Sequence, residues 1–225
     1  MTEVPEPSSP PVPTEPASGQ STSVGRWALI VAGLAGLTIG VLAVGGAWLL
    51  SGSGTLTDSQ PITAPDRIGA FVPFEQVELN KSPRAANNVT RIQSWNEQSS
   101  QRLSRSHGGT AAVVRTYADE TLKSQLTVMI FRASSPHPQY VPYEDPAELG
   151  VERPLNELQE FGQVSCSIRN NTTRAGKAPE PDSVNTISCA RTGGALTVEI
   201  RPSGDVRHEP QQVAAMVDQV WDTVS

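Results

Sequence analysis

Only two cysteines and three histidines occur in the 225 residues, so soft-metal and thiol chemistry have little to work with. Cys166 and Cys189 are too far apart for the Cys-x-x-Cys spacing of a redox pair, and the dispersed His107, His137 and His208 supply no ligand spacing. No metal and no cofactor are expected. The motifs that announce catalysis are missing as well: there is no Gly-x-Ser-x-Gly elbow, no Ser-x-x-Lys, no phosphate-cradling glycine loop and no paired His and Glu on a helix. The adjacent acids Asp119-Glu120 and Glu144-Asp145 fall in turn and loop segments, where carboxylates ordinarily face water. A basic surplus is also lacking. With 17 Lys and Arg against 23 Asp and Glu the net charge is −6, which argues against nucleic acid as a partner.

Charge of either sign is absent from Trp27 to Leu50, which reads WALIVAGLAGLTIGVLAVGGAWLL. A bilayer core needs roughly 20 apolar residues at helical rise, so the run predicts a single transmembrane helix in contact with the lipid bilayer, over residues 26–50. Glu3, Glu6 and Glu15 precede it, and it outlasts the apolar stretch of about 7–15 residues in a cleaved export signal, which makes it a signal anchor. Arg26 is the one cation near either end; it tips the orientation towards a cytoplasmic N-terminus and an extracytoplasmic C-terminal domain. Ala32, Gly36 and Gly40 stand four apart, a row that lets two helix backbones approach and permits a homodimer through the span. Small residues facing lipid are the plainer alternative.

Residues 1–25 scatter proline among Ser, Thr and Glu and predict a disordered cytoplasmic tail. Residues 51–65 are polar, with Gly, Ser and Pro, and read as a flexible linker. The rest, 66–225, is a normal size for one domain with its own core.

Within that domain, the apolar run Arg67 to Leu79 is broken by Pro73 and reads as an edge strand or a hydrophobic hook. From Ser82 onward Ala85, Val89, Ile92 and Leu103 recur at helical spacing, with Gly108-Gly109 as the stop. Arg84, Arg91 and Arg102 share another side of that helix and form a basic ridge, facing either anionic headgroups, an envelope polymer or simply water. Thr110 to Ala118 and Lys123 to Ala133 predict a β-hairpin. The proline-rich loop from Pro136 to Pro146 holds Tyr140 and Tyr143, which either offer a recognition surface or pack the loop onto its own domain. Pro154 to Phe161 predicts a short helix, stopped by Gly162.

Val164, Cys166 and Ile168 alternate on one strand, Ile187 and Cys189 share a face of the next, and Gly193-Gly194 turns the chain into Ala195 to Ile200. The final stretch repeats Val213, Met216, Val217, Val220 and Val224 at helical spacing. These elements predict an α+β domain with a mainly antiparallel sheet of about five strands and helices packed on it, behind the transmembrane helix and the disordered tail. Each cysteine sits on the apolar face of its strand, and the two strands are sequential candidates for pairing, so a structural Cys166–Cys189 disulfide is expected on an oxidising side of the membrane.

Tyr117-x-Asp119, FGQVSC at Phe161 to Cys166, SCA at Ser188 to Ala190 followed by ALTV, and Val220-Trp221 in the last helix are similar to a loose group of single-pass membrane proteins and lipoproteins of high-GC Gram-positive bacteria. The group has a paired-cysteine extracytoplasmic domain of unknown function. The resemblance implies an envelope location and says nothing of substrate. The function expected is a membrane-anchored envelope protein whose outer domain binds an envelope protein or polymer through Arg84, Arg91, Arg102, Tyr140 and Tyr143. An enzyme or enzyme accessory acting on envelope material, and signalling through the tail, remain the alternatives.

Overall fold

The computed structural model describes residues 61–135 and 138–225. Its strands are β1 Val72–Pro73, β2 Ala112–Ala118, β3 Ser124–Phe131, β4 Asn156–Phe161, β5 Val164–Asn170, β6 Val184–Gly193 and β7 Leu196–Gly204. Its α-helices are α1 Ala86–Ser106, α2 Pro146–Leu149 and α3 Pro210–Val224. The strands form one antiparallel sheet in the order β1-β2-β3-β7-β6-β5-β4.

The expected fold is corrected in its strand count. The sheet has seven strands, not about five. Among the described residues no helix is long and apolar enough to cross a membrane. The tail, the apolar run Trp27 to Leu50 and its row Ala32, Gly36 and Gly40 lie outside the described residues.

Side chains alternate across a strand, and that alternation builds the core. Leu126, Val128 and Ile130 of β3, Leu196, Val198 and Ile200 of β7, Cys189 of β6, and Val164, Cys166 and Ile168 of β5 are all buried on one face. Onto them α3 lays Val213, Met216, Val217 and Val220, each side chain contributing about 1.5–3 kcal/mol of burial. The same face continues under Ala64, Ile68 and Phe71 of the entering segment. Tyr117 is fully buried there and donates its hydroxyl to the Pro65 carbonyl at 2.6 Å.

The two additional strands come from the margins. β1 realises the edge-strand reading of the Pro73 segment, pairing Val72 with Ala118 and Pro73 with Tyr117. β4 occupies the stretch expected to be a short helix. Glu, Leu and Gln favour helices, but that preference is weak, and here it yields to six registered pairs from Asn156↔Arg169 to Phe161↔Val164. Gly162, at φ 63°, supplies the tight turn between β4 and β5. The short helix lies earlier, at α2, where the Asp145 carboxylate accepts the Ala147 amide at 2.8 Å.

One face assignment also changes. The β5–β6 register shifts between Ser167 and Ile168, leaving Ile187 as the extra residue of a β-bulge. Ile187 is therefore turned to solvent, away from buried Cys189, and Thr186 takes the inward position with its hydroxyl unpaired.

Candidate functional site

The face opposite α3 has three parts. Over β2 lies α1, whose Val89 and Ile92 join Val72, Phe74, Val77, Ala118 and Leu122 in a second small core. No residue of α1 is fully buried, because its inner side is largely polar. Ser100 accepts the Val114 amide at 2.8 Å, and Asn96 accepts the Thr116 hydroxyl at 2.8 Å. Asn96 and Ser100 fall on the same side of the helical wheel as Val89 and Leu103, a signal hidden by reading only apolar residues.

Over the other end of the sheet runs the loop after β3. Thr197 donates to the Ala133 carbonyl at 2.7 Å, Thr192 accepts the Ser135 amide at 3.3 Å, and Ser188 donates to Gln139 Oε1 at 3.0 Å. Further on, Glu144 accepts both the amide of Asn156 at 3.0 Å and its Nδ2 at 2.7 Å. The segment between Gln139 and Glu144 is thus held at both ends. Val141 is turned partly inward, whereas Tyr140 and Tyr143 are 87% and 90% exposed. The tyrosines do not pack the loop onto its own domain.

The bonds from Asn156 hold the Glu144 carboxyl below its ordinary range. A carboxyl lowered in the folded state contributes fully above the ordinary Glu value of about 4.3 and loses that contribution as pH falls through the lowered value. The anchor should therefore hold at neutral pH and open in strong acid. Hydrogen exchange checks this: protection of the Asn156 amide should be lost in the parent only as acid protonates the lowered Glu144 carboxyl, and already at neutral pH in Glu144→Ala. Unchanged protection in that variant would show that the carboxylate is not the anchor.

Between α1 and the loop the sheet surface is left as a groove of about 530 Å³. Cross-strand rows Val114–Met129–Glu199 and Thr116–Thr127–Arg201 run beneath it. Ser99, Arg102, Leu103 and Ser106 of α1 form one wall, and Val114, Thr127, Met129 and Arg201 form the floor and far margin. Arg201 donates from Nε to Glu199 Oε1 at 2.9 Å. No imidazole lines the groove, and the hydroxyls of Ser99 and Ser106 have no carboxylate among the groove-lining residues to act as a base.

Of the ridge residues, Arg91 and Arg102 lie at exposed positions of α1. Arg84 precedes the helix, in the turn before Ala86. Arg91 donates to Asn88 Oδ1 at 2.6 Å and lies 5.3 Å above the ring of Trp95, which is 54% exposed. Arg102 alone of the three reaches the groove. Sequence reasoning missed Trp95, Arg201 and Met129, since the last two come from different strands and meet only through the β3–β7 register.

Perturbed titration marks a separate cluster that is structural. Burial pushes the Tyr117 hydroxyl up to about 12. Burial alone would lower the neighbouring Arg115, but its hydrogen bond and ion pair with Glu75, at 2.8 Å, raise it overall. Both lock the entering segment to β2. His107 stacks on Phe131 at 4.6 Å, and the Nδ1 of His208 lies 2.6 Å from the Val184 carbonyl oxygen. Among the described residues no group of three or more His, Cys, Asp and Glu could hold a metal ion.

Cys166 and Cys189 form a disulfide between directly opposed residues of β5 and β6, with Cα atoms 4.0 Å apart. Both sulfurs lie within 4.0 Å of the Pro210 carbonyl, beneath the start of α3. Comparison with protein-family models, with curated proteins and with solved structures finds no match for this chain.

Proposed function

We propose that this chain is a membrane-anchored envelope protein whose outer domain is a binding module, with the Tyr140 to Tyr143 segment as its contact surface. The display of that segment carries the reading. Its ends are tied by Gln139 to Ser188 of β6 and by Glu144 to Asn156 of β4, and yet its two tyrosines stand in solvent. A tethered loop with free aromatic rings presents large amphipathic contact area with little left to order on binding. The partner is an envelope protein or polymer.

The envelope location rests on the charge-free run Trp27 to Leu50, on the resemblance to membrane proteins and lipoproteins of high-GC Gram-positive bacteria, and on the disulfide, which persists in oxidising compartments. Arg91 over Trp95, on α1, offers a second exposed contact of cationic and aromatic character.

Full-length protein and its Tyr140→Ala/Tyr143→Ala variant, mixed with purified envelope polymer or with envelope membranes, test the reading by co-sedimentation. Both side chains are exposed, so the variant keeps the fold. Retention should drop by about tenfold or more, as for a pair of interface aromatics. Equal retention of parent and variant would remove the tyrosines from the function.

A further inference from the structure

We propose that the groove between α1 and the β3–β7 surface binds a single-chain amphiphile with an anionic head. This inference is independent of the tyrosine segment, which lies on the other side of the same sheet face.

Three observations meet in the groove. Its volume, about 530 Å³, falls in the range of roughly 300–1,000 Å³ that small-molecule sites occupy. Its apolar lining is Leu103, Val114 and Met129, the last a flexible thioether that adapts to irregular apolar bodies. Arg102 and Arg201 stand at its margins, in a chain whose net charge is −6. Positive charge is thus placed against the average, beside an apolar trough.

The two arginines are not equivalent. Arg201 engages Glu199 through Nε, so part of its charge is neutralised within the sheet. Arg102 projects from the exposed side of α1 and makes no ion pair among the described residues, so its planar fork is free for a carboxylate or phosphate oxygen. Ser99 adds a hydroxyl donor from the same wall, whereas Ser106 already donates its hydroxyl to the Leu103 carbonyl at 2.8 Å. A sugar would leave Leu103 and Met129 without apolar contact, and an uncharged lipid would leave Arg102 without a counter-charge. An acyl chain on the floor with its acidic head at Arg102 satisfies both.

The test uses the full-length protein in phosphatidylcholine nanodiscs and a diazirine analogue of palmitic acid, with the corresponding diazirine alcohol and an anionic phospholipid as further arms. After irradiation, mass spectrometry should find label from the acid on peptides containing Leu103 or Met129. Palmitate should compete and hexadecanol should not. Anionic phospholipid added to the disc should compete no better than phosphatidylcholine, which separates a free amphiphile from the membrane itself.

Arg102→Glu should reduce the label about tenfold, as expected for one charge-assisted hydrogen bond, without changing the thermal melt. Thr127→Arg should block the floor and abolish the label. Tyr140→Ala/Tyr143→Ala should leave it unchanged. Equal labelling by acid and alcohol, indifferent to Arg102→Glu, would overturn the anionic head. Absence of label from the groove peptides would overturn the site, and neither result would touch the tyrosine reading.

Discussion

Gly204→Ala should lose more than about 3 kcal/mol of folding stability, a large share of what a domain of this size possesses. Gly204 ends β7 at φ 75° and ψ −149°, a region that side-chain-bearing residues essentially never occupy. A Cβ built there would lie 1.8 Å from the Lys123 carbonyl oxygen. That carbonyl cannot retreat cheaply. It accepts the Asp205 amide at 3.3 Å, next to the Ser124 hydroxyl that accepts the Val206 amide at 3.1 Å, so moving it breaks the junction between β3 and the chain leaving β7. Gly194→Ala is the control: it has φ 58° but nothing within 4 Å of the added carbon, and should lose only about 1 kcal/mol. Urea unfolding of both variants separates the causes. Equal losses would mean that backbone conformation alone, and not the contact with Lys123, makes Gly204 obligatory.

Cys166→Ala/Cys189→Ala should destabilise the domain by about 3 kcal/mol, the chain-entropy value for a loop closed over a separation of 23 residues. The two sulfurs are fully buried between the sheet and the start of α3, so part of the loss is packing. The denaturant dependence should also steepen, because an unlinked unfolded chain exposes more surface. In the parent, thiol labelling under reductant should stay low until denaturant opens the fold. A loss below about 1 kcal/mol, or rapid labelling of the native protein, would contradict a buried structural bond.

How far the sequence could be read differs from element to element, for physical reasons. The α3 helix and the β2–β3 hairpin were legible because each faces one deep core, and such a core imposes a clean period on Val213 to Val220 or on Leu126 to Ile130. β4 was not, since an edge strand is tied on one side only and its residues Glu157 and Gln159 carry helical preference. Ile187 misled because a bulge changes which face a residue takes without changing composition. For the tyrosines the sequence left two readings open: aromatic rings beside prolines usually fold inward, but here hydrogen bonds at Gln139 and Glu144 hold the loop without them. Of the groove, only Arg102 and Leu103 of α1 were in view beforehand, because its other half depends on strands brought together across the sheet.

The Glu144 carboxylate has a second consequence, for the behaviour of many copies together. β4 is the last strand of the sheet, and such a margin invites another chain to add itself and extend the ladder. Here the first amide of β4, at Asn156, is already taken by a charged group that an incoming strand would have to evict. At the other margin β1 is only two residues long, and Ser100 of α1 takes the Val114 amide beside it. Each margin of the sheet thus has one backbone amide occupied by a side chain, which should hinder edge-to-edge pairing of crowded copies at those two points.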